Sequence, residues 1–332
     1  MGGLPDVLSH PISGANQNFL RPFNTSVSIT PETLSTNSDF YLHPLLRHGG
    51  KRFLLLDRAV CASAFLQSLL VRLKPVTPVF SKKILGPGTE KILRNALEKH
   101  QISAIEGTYR IDDEDGECDL VIETEKTVFF IEVKKKMLTP EARSGIDIYL
   151  ILDLAESLLQ AQIQAGEHEL RLSSNQSIEL RNNGLVTLLE LKGRSVERIA
   201  VTLLDYGSFQ DRTLLKQFME ICLSTRYSLN EQYQGSDTSL QKRFEKLNKV
   251  LERSHQQVEK LSRIKNESAQ FFYHCWFLSI PQLLILLDNV QGPESFKEKL
   301  FSIRAITFGS LDFYFEYAQM RKMQSDALTE KS

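Results

Sequence analysis

Two short apolar runs, 118–123 and Thr127–Lys134, with only three residues between them, constrain this chain more than any other feature. Both are dense in Val, Ile and Phe and are broken by a polar turn, so they read as consecutive strands. A hairpin centred between Glu125 and Lys126 sets Asp119 directly opposite Glu132, with Cβ atoms roughly 4.5–5.5 Å apart. Alternation puts Lys134 on the side of Glu132, and Leu120, Ile122, Phe129, Ile131 and Val133 on the other. Val121, Val128 and Phe130 make the charged side apolar too. A strand pair apolar on both faces belongs inside a covered sheet, which places the Asp, Glu and Lys group at one end of buried strands.

Directly opposed carboxylates repel each other. The pair is tolerable when one carboxyl takes up a proton or a cation sits between them, and hard oxygen donors beside one ammonium suit Mg²⁺ or Mn²⁺. A cross-strand ion network at a sheet end is the plainer alternative.

The neighbouring sequence supplies a context. A polar arm occupies 1–50, and a helical extension over 51–86 contains a helix across 53–73 that ends before Pro75 and Pro78. Gly86, Pro87 and Gly88 read as a turn, and 89–100 as a helix with Glu90 in its first turn. Strands follow at Ala104–Ile111, 118–123 and Thr127–Lys134, with a polar acidic loop after the first. Thr139 as cap and Pro140 at the first helical position then start a long helix whose apolar face runs through Ile146, Leu150, Leu154, Leu158 and Ala165. Residues 178–191 are ambiguous, 198–205 read as a buried strand, and 211–332 as a carboxy-terminal helical region. The expected fold class is α/β: a mixed sheet core over 87–210 flanked by helices, with the helical region added after it.

Asp119, twelve intervening residues, then Glu132, Val133 and Lys134, placed on a helix, three strands, helix, strand order, resemble the restriction-endonuclease-like superfamily, whose signature is Asp, a spacer, then Asp or Glu, any residue, Lys. The resemblance covers 88–207. It implies a nuclease fold and metal-dependent hydrolysis of DNA phosphodiesters, with Mg²⁺ or Mn²⁺ held by Asp119, Glu132 and the Val133 carbonyl. Lys134 would position the attacking water or stabilise charge on the phosphate, and Glu90 would match the acidic residue many members carry on the preceding helix. Cys118 stands where many members have Pro. Gln160 and Gln164 are similar to the glutamine of exonuclease-like members, but the tyrosine expected four residues after Gln160 is absent.

Lys135, Lys136 and Arg143 add positive charge beside the expected metal, suited to a phosphodiester backbone. Forty basic and forty-one acidic residues leave a formal charge of −1, so a DNA surface must be local. The four cysteines form no CxxC pair, no HExxH, GxSxG or Walker pattern occurs, and His274 among aromatic residues reads as a core histidine. The stretch 271–287 reads as buried helix, being short and interrupted for a membrane span, and no secretion signal opens the chain, so a cytoplasmic location is expected. The expected partners are DNA and, through the carboxy-terminal helices, a second copy or another protein. A catalytically inactive nuclease-fold protein, serving as a binding or assembly subunit, is the alternative reading.

Overall fold

The computed structural model describes residues 24–25, 45–48, 52–55, 58–76, 80–111, 113–228, 238–265, 271–304 and 307–329. The expected polar arm over 1–50 lies for the most part outside them. The chain divides into two compact units, residues 1–85 with 139–150, and residues 86–138 with 151–332.

In chain order the first strands are β1 (Asn24–Thr25), β2 (Leu45–His48) and β3 (Arg52–Leu55). They form a three-stranded sheet in which β2 pairs antiparallel with β3. Helix α1 (Arg58–Val76) therefore starts five residues later than the sequence reading, because Phe53, Leu54 and Leu55 pair as a strand. A π-helical turn, Phe80–Leu85, leads into α2 (Gly86–Lys99). Gly86, Pro87 and Gly88 are thus the start of a helix and not a turn before one, which moves Glu90 out of the first helical turn.

Next come β4 (Ala104–Ile111), β5 (Glu114–Glu123) and β6 (Thr127–Lys134). The acidic stretch 114–117, expected as loop, belongs to β5. The expected long helix is broken: Thr139 caps the short α3 (Pro140–Arg143) by accepting the Ala142 N–H, and Gly145 turns the chain with φ of 83°. Helix α4 (Asp147–Leu154) continues through a π-helical segment, Ala155–Leu159, into α5 (Gln160–Asn175). The ambiguous stretch 178–191 resolves as the hairpin β7 (Ser177–Asn182) and β8 (Leu185–Glu190), turned by Asn183 and Gly184 with φ of 48° and 82°. Strand β9 (Ser195–Thr202) follows.

The carboxy-terminal region is not purely helical. After α6 (Arg212–Ser224) and α7 (Thr238–Lys265) comes β10 (Cys275–Ser279), within the stretch expected to be buried helix. Helices α8 (Ile280–Leu286), α9 (Gly292–Ser302) and α10 (Phe313–Thr329) complete the chain. Among the described residues no helix is long and apolar enough to cross a membrane.

The second unit is an α/β layer structure around a seven-stranded mixed sheet, ordered β10-β9-β6-β5-β4-β7-β8. β10, β9 and β6 run parallel, and the pairs from β6 outward to β8 are antiparallel. On one face Val121, Val128 and Phe130 pack with Ala165 and Leu172 of α5. On the other, Phe129 packs edge-on against Phe296 of α9 at 5.6 Å, and Leu93 and Leu97 of α2 are buried. Covering both faces explains why Leu120, Val121 and Ile122 of β5 and Val128 to Ile131 of β6 are apolar on both sides.

Candidate active site

The hairpin register is the one the sequence implies: Leu120 pairs with Ile131, Val121 with Phe130, Ile122 with Phe129 and Glu123 with Val128. Pairing stops there. On the other side of β5 the register shifts between Ile105 and Gly107, so Asp119 and Leu120 stand opposite the single residue Glu106. This bulge breaks the strict alternation assumed from sequence, and Cys118 instead of Asp119 joins the cluster with Val121 and Phe130. Gly107 makes the bulge possible: its φ is 151°, and a Cβ there would lie 2.8 Å from the Arg181 carbonyl oxygen of β7.

Freed from the ladder, Asp119 accepts the Val133 N–H through Oδ2 at 2.8 Å. Glu132, 1% exposed, accepts from Lys134 Nζ at 3.3 Å through Oε2 and meets His168 Nε2 at 3.0 Å through Oε1. Burial, together with the Glu132 carboxylate, pushes Asp119 up to about 7, against the lowering pull of the Val133 N–H and Lys134. Glu90 faces the same group from α2: burial and Glu117 raise its pKa, Arg94 and Lys134 oppose this, and Glu132 adds to it. Glu90, Val133, Lys134 and Lys135 line one cleft with Gly86 and Thr89. Asp119, Glu132, Lys134, Val133, Lys135 and Glu90 are thus brought together.

The other basic candidates are placed differently. Lys136 Nζ pairs with Asp153 at 2.8 Å and Glu156 at 3.2 Å, so its charge is matched inside the fold, which argues against a phosphate contact. Arg143 ends α3, in the other compact unit. Gln160 opens α5, and no hydrogen bond described for it reaches Asp119, Glu132 or Lys134.

The sequence reading missed His168 and Tyr109. His168 bridges Glu132 and the Tyr109 hydroxyl, which lies 2.7 Å from Nδ1. The signal was present: Ala161, Ala165, His168 and Leu172 form one buried helical stripe, and a histidine inside such a stripe needs polar partners. Cys118 is buried, and burial holds its thiol well above the ordinary range, which removes it as a nucleophile.

As a cation site the group offers two carboxylates that repel each other in a poorly solvated place, with the Val133 carbonyl next after Glu132 in sequence. That donor chemistry fits a hard divalent ion. Among the described residues no group of three His, Cys, Asp or Glu side chains is arranged around a common point, so an ion here needs backbone oxygen or water as well. No protein-family model matches the chain, and no match was found among curated proteins or solved structures.

Proposed function

We propose that this chain is a metal-dependent nuclease hydrolysing DNA phosphodiester bonds on a restriction-endonuclease-like core. The observation that carries the reading is the meeting of Asp119 and Glu132 just beyond the last paired residues of β5 and β6, with Lys134 3.3 Å from Glu132 and the Asp119 pKa pushed up to about 7. Asp119, Glu132 and the Val133 carbonyl would hold Mg²⁺ or Mn²⁺. Such an ion lowers the pKa of a bound water and polarises the phosphoryl oxygen.

Lys134 is 17% exposed, so its ammonium reaches the cleft while Glu132 anchors it. There it orients an attacking water or meets negative charge building on the phosphate. Lys135, on the cleft wall, supplies backbone attraction, and Glu90 faces Lys134 from α2. DNA repair and defence against foreign DNA both accord with this chemistry.

A second reading, an inactive nuclease-fold binding or assembly subunit, is favoured by Glu132 itself: it is buried and both its oxygens are engaged. Incubating wild type, Lys134→Ala and Asp119→Asn with plasmid and linear DNA in Mg²⁺, Mn²⁺ or EDTA separates the two. Cleavage by wild type that needs the ion and falls about 100-fold or more in both variants supports the nuclease. No cutting by wild type, with unchanged DNA affinity in Lys134→Ala, supports the subunit.

A further inference from the structure

Glu132 is held from behind as well as from the cleft. His168, on α5 and 4% exposed, touches its Oε1 at 3.0 Å through Nε2, while Nδ1 lies 2.7 Å from the hydroxyl of Tyr109, itself 5% exposed. The imidazole is also packed by rings, Tyr109 at 5.5 Å edge-on and Phe130 at 5.4 Å. Both nitrogens are bonded and the ring is buried between those two rings.

Burial pushes the Tyr109 hydroxyl above its ordinary range, so the phenol keeps its proton beside Nδ1. A carboxylate oxygen accepts, so at the Glu132 contact it is Nε2 that carries a proton and donates to Oε1. The ring's backbone is fixed in turn: Gln257 of α7 donates to the Ile163 carbonyl of α5 at 2.9 Å, and its side chain passes where Gly166 leaves space.

We propose that His168 is a positioning residue for the metal-binding carboxylate, with Tyr109 as its support. Resting on the metal reading above, the inference assigns a division of labour within Glu132: Oε1 is tied to the core through His168, and Oε2 is turned toward Lys134 and the ion. A ligand carboxylate held this way keeps one orientation before the ion arrives, and loss of such an outer hydrogen bond typically costs about 10- to 100-fold in metal affinity. The histidine acts through Glu132 and touches neither water nor phosphate.

Mn²⁺ titration calorimetry on the full chain tests it, using wild type, His168→Phe, His168→Gln and Tyr109→Phe, each first checked for a native near-ultraviolet circular dichroism spectrum. His168→Phe is expected to weaken Mn²⁺ binding by about 10- to 100-fold, and Tyr109→Phe by a smaller factor. His168→Gln, which keeps an N–H to donate, is expected to recover most of the loss. A folded His168→Phe that binds Mn²⁺ as wild type does overturns this inference alone, as does His168→Gln falling as far as His168→Phe. Should His168→Phe fail to fold, wild-type affinity in Tyr109→Phe together with a large loss in His168→Gln has the same meaning. Wild type that takes up no Mn²⁺ overturns the metal reading and this inference with it.

Discussion

Burial and the Glu132 carboxylate hold Asp119 near 7, so at neutral pH its neutral and charged forms are close to balance. Folding raises this pKa, hence the folded chain binds the proton more tightly than the unfolded one between the usual aspartate range and about 7. The stabilising contribution is whole at the acid end of that window and is lost as pH rises through it. Asp119→Asn keeps an oxygen for the Val133 N–H and removes the repulsion, so it is expected to stabilise the fold at pH 8 and to be nearly neutral at pH 4. The shift corresponds to at most about 4 kcal/mol, and partial solvent access brings the expected gain at pH 8 to roughly 1–2 kcal/mol, measurable by urea unfolding at the two pH values. Destabilisation at pH 8 would mean that the repulsion is already relieved. On the metal reading proposed above, a divalent ion would compete with the proton for the same charge, so Mn²⁺ is expected to raise the melting temperature more at pH 8 than at pH 5, a concentration of 100 times its dissociation constant adding about 2.7 kcal/mol. At this scale the sequence was informative where structure is local: the hairpin register puts Asp119, Glu132 and Lys134 at one end of β5 and β6. The aim of Asp119 was hidden because the bulge arises from Gly107 and Arg181, on strands the hairpin pattern does not contain.

Among the elements, those with a short period and a clear stop were legible. Ala104–Ile111 and Thr127–Lys134 have the bounds read from the sequence, whereas 178–191 stayed ambiguous although Asn183–Gly184 is the pair that a two-residue turn with positive φ demands. Strand β10 was not legible, since five buried residues inside a longer apolar stretch fit helix and strand alike. Its end was marked nonetheless by Ser279, whose hydroxyl caps α8 in a reciprocal pair with Gln282, and by Pro281 in the first turn. The contact between β4 and β5 gives an element-scale prediction. Gly116 packs against the Tyr109 ring so closely that a Cβ would overlap it, and a buried ring flanked by His168 has little room to yield. Gly116→Ala is therefore expected to destabilise the fold by about 1–3 kcal/mol and to weaken the Tyr109–His168 bond. Thermal unfolding beside Mn²⁺ titration checks both effects, and an unchanged melting temperature would show that the strand shifts freely.

For the whole molecule, the decisive departure from the sequence reading is that the sheet does not end near 210. β10 pairs along its full length with β9, from Cys275 with Arg198 to Ser279 with Thr202, and Phe296 and Phe301 of the last segment pack on Phe129 of β6. The charge balance points the same way. Glu197 is fully buried, and its carboxylate is met by Trp276 Nε1 at 2.7 Å, His274 Nδ1 at 2.8 Å and Arg304 at 2.5 Å, all from beyond residue 270. Burial raises its pKa, but the hydrogen bond and charge of His274, then Arg304 and Trp276, outweigh this and leave it lowered. A lowered carboxyl stabilises above its unfolded value, and that contribution disappears as pH falls through the folded one, opposite in sign to Asp119. Ending the chain at Lys265 removes all three partners, and an uncompensated buried carboxylate alone costs about 3–5 kcal/mol, a large part of a domain's stability before the exposed face of Phe129 is counted. The truncated chain is expected to show no cooperative thermal transition by circular dichroism at pH 7, whereas wild type does and loses stability in acid as Glu197 takes up its proton. A truncated chain that melts cooperatively would return the carboxy-terminal segment to the status of an appendage, and would place the sheet's stability in the six strands β4 to β9.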